Sequence, residues 1–298
     1  MSLSDSSLFS KIKLRANAEE LAGSFPALLI KAEQIAATID VGQHGRKRAG
    51  TGEDFWQFKP YSTGDETSEI DWRQSAKRGE IFIRQKEQES SETAWFWINQ
   101  DDTMHFQSSL AAYNKIEYAN LLTLVLCILL NRADENFGIL GEMETAGHGL
   151  SHLEKVAHTL PSARDKAPSQ AGESTHAKAK SKFLLISDFL LDIAKLQKEI
   201  SAISSEKSDG IIIHLADPAE VDLPYSGRVY FQDMQGRPAA EFKQVENIRN
   251  DYHSAYSKHQ NNLKNLAVRF GWQYVFVRTD RKIAETVIEL YNLIHEGR

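Results

Sequence analysis

From residue 93 onward the chain alternates between two hydrophobic rhythms. Short, nearly continuous apolar runs, "AWFWIN" (94–99), "FGIL" (137–140), "FLLI" (183–186), "IIIHL" (211–215) and "WQYVFV" (272–277), are separated by stretches whose apolar positions recur at helical spacing, over about 112–132, 149–160, 190–204, 245–269 and 281–295. Runs apolar on both sides of a strand imply burial on both faces. Strands that alternate with helices imply a parallel sheet covered by them. The expected class is α/β, with a mostly parallel sheet flanked by helices over 93–298.

The first third of the chain has a different pattern. Leu21, Leu28, Leu29 and Ile35 recur at roughly helical spacing between Ala16 and Thr38, with Pro26 set to bend the helix, so 1–42 is expected to form an N-terminal helical arm. Residues 43–92 mix glycine, polar and aromatic residues without a sustained period until "EIFIRQKE" (80–87), and are expected to form a small irregular β-containing lobe closed by that strand. Within the sheet domain, Pro161 to Ser181 lacks large apolar residues and is expected to be a flexible loop. "GRVYFQDMQGRPAAEF" (227–242) predicts two short strands turning near Gly236, an antiparallel addition to the sheet.

Composition narrows the function classes. The 298 residues, 41% hydrophobic, can fill a substantial core, and a formal charge of -6 argues against broad attraction to nucleic acid or anionic lipid. The single cysteine, Cys127, forbids an intrachain disulfide or a cysteine zinc cluster. It lies in "LLTLVLCILL" (121–130), which is too short to span a bilayer and is expected to be a buried helix. "MSLSDSS" lacks the layout of a secretory signal, so a cytoplasmic protein without a membrane span is expected.

The common catalytic motifs are missing: there is no phosphate loop, no nucleophile elbow and no His-Glu-x-x-His. Gly50 and Gly52 do not make a dinucleotide loop, because no third glycine follows at the right spacing and Arg46, Lys47 and Arg48 stand where a strand should. His148 and His152 have a metal-compatible spacing but no evident third ligand, and are read as two exposed histidines. Asp65, Glu66, Glu69 and Asp71 do not follow calcium-loop spacing and are read as a solvated turn with capping carboxylates.

One stretch carries a family resemblance. In "GTGEDFWQFKPYSTGDETSEIDWRQSAKRGEIFIRQKEQE" (50–89), Gly50, Gly52, Phe55, Tyr61, Gly64, Asp65, Ile70, Asp71, Trp72, Ser75, Ala76, Arg84, Glu87 and Glu89 fall in the order of a known signature, and the segment resembles the DUF58 family. Lys59 and Ser68 depart from it, standing where relatives commonly carry arginine. The resemblance implies a von Willebrand factor A-like domain with the lobe attached. It also implies a MoxR-type AAA ATPase as protein partner, with the pair acting on the assembly or maturation of another protein. Many relatives carry N-terminal membrane helices that this chain is expected to lack.

A-type domains that hold a divalent ion use Asp-x-Ser-x-Ser on the first loop, with a Thr and an Asp from other loops. The matching positions here are Asn99, Asp101 and Thr103, with Asp188 and, weakly, Thr145 as the remaining ligands. An amide in place of a carboxylate removes charge from a site for a hard ion such as magnesium. The reading adopted is a degenerate metal-binding loop and no cofactor, in which Asn99 and Thr103 bond the loop and cap the following helix while Asp188 caps the helix after it. A rearranged oxygen site around Asp101, Thr103 and Asp188 is the alternative. The expected function is therefore a non-enzymatic protein–protein interaction module. The competing class is a metal-dependent hydrolase using Asp101, Asp102 and Asp188.

Overall fold

The computed structural model describes residues 28–39, 55–61, 70–86, 93–163, 166–173, 181–204, 209–232 and 240–296. The chain divides into two compact units, Val41–Glu92 on the one hand and Met1–Asp40 with Thr93–Arg298 on the other. Gly50, Gly52, Gly64, Asp65, Glu87 and Glu89 of the signature, and the bend expected at Pro26, lie outside the described residues.

In the smaller unit, β1 (Phe55–Pro60) pairs antiparallel with β2 (Phe82–Lys86). No sequence period announces β1, and the register explains why: it shifts between Phe55 and Gln57, and such a bulge breaks the alternation that marks a strand. Numbering the helix over 28–38 as α1, the helix between these strands is α2 (Trp72–Arg78). Two signature residues, Asp71 and Ser75, fix it in place. Asp71 caps α2 by accepting the Gln74 amide at 2.9 Å, and Gly79, at φ 75, closes it in the left-handed region that favours glycine. Ser75 is buried; its Oγ accepts the Phe82 amide at 2.9 Å and donates to the Asp71 carbonyl at 2.7 Å, fastening the helix to β2. The Tyr61 amide donates to the Ile81 carbonyl, and Phe55 and Arg84 lie on the two strands. Trp72 is different, with 68% of its surface exposed.

In the larger unit five parallel strands lie in the order β4-β3-β5-β6-β9, with β3 (Thr93–Ile98), β4 (Asn136–Ile139), β5 (Ser181–Ser187), β6 (Asp209–Ala216) and β9 (Gln273–Arg278). Every residue of β3 and β5 is buried, as their unbroken apolar runs require. Trp95, Trp97, Phe183, Leu185 and Ile212 point to one face, against Leu196 and Ile200 of α6 (Ile193–Ile203) and Leu263, Leu266 and Ala267 of α8 (Arg249–Arg269). The aromatics of β3 are therefore core. Behind the sheet runs α3 (Lys115–Arg132), buried along nearly its whole length and packed on α9 (Ile283–Glu296) and on α4 (Leu150–Thr159). The described part of α1 belongs to this unit: Ala32 and Ala36 are fully buried, and Arg132 donates to the Ala36 carbonyl at 3.0 Å.

Two expectations need correction. The stretch expected as a flexible loop contains α5 (Pro168–Glu173), where Ser169 is held by the Glu199 carboxylate of α6, while the Lys166 carbonyl accepts the Trp97 indole N–H at 2.8 Å. Among the described residues of this stretch Pro168 is buried and Ser169 is held by hydrogen bonds, while 164–165 and 174–180 lie outside the described residues. The pair β7 (Val229–Phe231) and β8 (Ala240–Phe242) forms, antiparallel as expected, but as a separate two-stranded sheet and not an addition to the main one. β9 holds the edge beside β6.

Candidate functional site

Parallel strands deliver their following loops to one end of the sheet, the usual position of ligand sites in open α/β folds. Asn99 follows β3, Asp188 follows β5 and Asp217 follows β6. The register aligns Ile98 with Ile186 and Ser187 with His214, so these loops emerge side by side.

Asn99, 4% exposed, donates through its amide to Ser187 Oγ at 3.1 Å and, more weakly, to Asp101 Oδ2 at 3.5 Å, and its Oδ1 accepts the Asp101 amide at 3.3 Å. Ser187 Oγ in turn accepts the Phe189 amide at 2.9 Å. Phe189 sits at φ 48, a region costly for a non-glycine residue, and its fully buried ring holds that turn in place. Thr103 lies half-buried in the 3-10 turn Asp102–His105.

The capping roles expected of these residues belong to others. Asn114 caps α3 in a reciprocal box with Glu117, and Asp192 caps α6. Asp188 instead turns to Lys115. The Lys115 ammonium, with no exposed surface, donates to Asp188 Oδ2 at 2.9 Å and to Glu220 Oε1 at 2.5 Å, and lies 5.9 Å from the centre of the Phe106 ring. Glu220 is anchored as well. Its Oε2 accepts the Asp217 amide at 2.8 Å in the box that starts α7 (Pro218–Asp222). Asp217 Oδ2 accepts the Ser108 amide at 2.9 Å. Burial pushes the Glu220 carboxyl above its ordinary range, against the pull of Lys115.

Behind this edge, His214 is 1% exposed and shares a 2.8 Å hydrogen bond with the Tyr274 hydroxyl. Burial, reinforced by repulsion from His259, pushes it down to about 3; Asp188 raises it and Lys115 lowers it.

A divalent ion needs several oxygens converging at about 2.0–2.6 Å. Here Asn99 is spent on Ser187 and Asp101, Asp188 faces an ammonium, and Thr145 is exposed on the turn after β4, with no hydrogen bond to the others among the described residues. These residues do not fit such an ion, and no group of three or more His, Cys, Asp or Glu that could hold a metal occurs among the described residues. His148 and His152 do not converge either: one bonds Asn136 at 3.0 Å and the other the Phe137 carbonyl at 2.7 Å. The sequence reading missed Lys115, Glu220, Asp217, Ser187 and His214. A signal existed for three of them, since a lysine just after the helix-starting Asn114 opposes the helix dipole, and Asp217-Pro-Ala-Glu220 is a capping-box spacing.

The family model described as "Protein of unknown function DUF58" matches residues 57–262, more than half of the chain. The chain belongs to the DUF58 family. The "Uncharacterized protein Rv1480" of Mycobacterium tuberculosis is 22% identical over 276 residues, covering 88% of this chain and 86% of the relative. The "Uncharacterized protein Mb1516" of Mycobacterium bovis matches with the same figures. Among solved structures, the conserved hypothetical protein BatB from Bacteroides thetaiotaomicron has a TM-score of 0.45 at 12% identity, covering 69% of this chain and 98% of its own. An aerotolerance-related membrane protein from Bacteroides fragilis has a TM-score of 0.38, also at 12% identity, covering 67% and 98%. Likenesses this loose transfer nothing to this DUF58 chain. Its five-stranded parallel sheet flanked by helices is consistent with a von Willebrand factor A-like fold. No helix among the described residues is long and apolar enough to cross a membrane.

Proposed function

We propose that this DUF58 protein is a cytoplasmic, non-enzymatic interaction module that meets a protein partner at the carboxyl edge of its sheet. The observation behind this reading is how the edge divides its side chains. Asn99 is bonded to Ser187, and Lys115 to Asp188 and Glu220, while Leu110 and Leu190, on the loops after the adjacent strands β3 and β5, stand 53% and 50% exposed. Partner surfaces are commonly anchored by apolar and aromatic side chains of this kind. Within the smaller unit Trp72 is a separate exposed aromatic contact. By family resemblance the partner is a MoxR-type AAA ATPase, and the pair acts on the assembly or maturation of another protein.

The test is co-purification of the full chain with a MoxR-type ATPase of the same cell. Leu190→Asp and Leu110→Asp should each weaken capture at least tenfold, and Trp72→Ala less, with melting temperatures close to that of the parent. Manganese-dependent hydrolytic turnover that disappears in Asp101→Asn and Asp188→Asn would overturn the non-enzymatic reading.

A further inference from the structure

We infer that the Lys115 ammonium is the resident cation of the carboxyl edge, seated between the β5 and β6 loops where a divalent ion would otherwise join their carboxylates. The position is a poor one for a lysine on local grounds. It is the first residue of α3, where the helix dipole and the unpaired amides favour negative charge, and it has no access to water. A residue that breaks a local rule points to a role set by its surroundings. Here those surroundings are two carboxylates from different crossovers: Asp188 just past β5, and Glu220 in the first turn of α7 past β6. One ammonium thus joins α3 to both loops, and the Asp217–Ser108 hydrogen bond joins the β6 loop to the one after β3.

Divalent ions commonly bring such carboxylate loops together at a sheet edge. A tethered ammonium does the same at lower charge, without exchange and without dependence on free metal. The inference holds whatever partner meets the edge.

The experiment is thermal melting of the full-length protein in EDTA and in excess manganese, for the unmodified chain, Lys115→Ala, and Lys115→Ala combined with Asp188→Asn. The unmodified protein should melt at the same temperature in both. Lys115→Ala should melt lower in EDTA and recover by about 2–4 °C or more with manganese, because an ion can enter the space between the two carboxylates. The double variant should not recover. Calorimetric titration with manganese needs no change at Lys115 and should give the same heat for the unmodified protein and for Asp188→Asn. Either a manganese-dependent rise in the unmodified protein that Asp188→Asn removes, or a folded Lys115→Ala that ignores manganese, would overturn the inference. Should Lys115→Ala fail to fold in EDTA but fold in manganese, the inference is upheld; should it fold in neither, the titration of the unmodified protein against Asp188→Asn decides.

Discussion

Among the described residues the sheet domain buries two lysines, one near each end of its sheet, and they sit at opposite ends of helices. Lys182, at the start of β5, donates to the carbonyls of Leu293 and Ile294 at 3.0 and 2.6 Å, in the last turn of α9. A helix ends in unpaired carbonyls and partial negative charge, so a cation there completes the helix without a carboxylate partner. Burial lowers its affinity for the proton. Lys115 sits at a helix start, where the same dipole repels it, and is held by Asp188 and Glu220 instead. The first lysine is explained by the helix it caps. The second is explained only by the loops it joins.

The largest expected difference comes from removing each charge. Lys115→Met leaves two carboxylates buried or nearly so without their cation, and should cost about 3–5 kcal/mol in urea unfolding, the range for breaking a buried pair by deleting one partner. Lys182→Met removes a donor from two neutral carbonyls and should cost about 1–3 kcal/mol. Equal losses would erase the distinction. In a double-mutant cycle, Asp188→Asn should cost less in the Lys115→Met background than in the parent, because the charge it removes has already lost its partner.

Acid should act next, and mainly at the carboxyl end. His214 lies among Tyr274, Tyr256, His259, Phe189 and Phe276, with Asp188 and Lys115 acting on it in opposite directions. Its folded value, about 3, lies below the ordinary 6.5, so between these values the unfolded chain binds the extra proton. Stability from this group is complete above 6.5 and declines as the pH falls. At about 1.4 kcal/mol per unit, the loss between pH 6.5 and 5 is roughly 2 kcal/mol. Glu220, raised in the fold, works in the opposite sense: it favours the folded state at low pH, and that contribution is lost as the pH rises through its folded value. The informative comparison is therefore His214→Gln against the parent, measured as unfolding free energy against pH. The variant should lack about 2 kcal/mol of the acid sensitivity.

How much of this could be read beforehand follows from the physics of each part. The sheet was legible because residues such as Trp95, Leu184 and Ile212 lie on strands buried on both faces, and such burial turns alternation into an unbroken apolar run. β1 was hidden by its bulge, and α5 by its shortness and its lack of large apolar residues. At the site, Asn99, Asp101 and Asp188 could be placed together because topology brings strand ends to one edge. Lys115 could not, since its meaning depends on Asp188, 73 residues away, and Glu220, 105 residues away. Charge pairing across crossovers leaves no local period.

The smallest expected effect tests whether the start of α3 is set by its cap or by the ammonium it carries. Asn114 accepts the Glu117 amide at 2.8 Å, and Glu117 accepts the Asn114 amide at 3.3 Å, an arrangement exposed to water and independent of Asp188. Asn114→Ala should cost about 1 kcal/mol, the ordinary value for losing a cap, if the two carboxylates fix the Lys115 end by themselves. The same substitution in the Lys115→Met background should then cost the same, within about 0.5 kcal/mol. If cap and ammonium instead form one unit, the two losses will not add: α3 will already be loosened at its first turn when Lys115 is gone, and the cap will have little left to hold. Amide exchange over 115–118 reports this directly, because opening of that turn exposes the same backbone groups in either variant. Additive losses would make Lys115 a residue whose partners, and not its helix, decide where it sits.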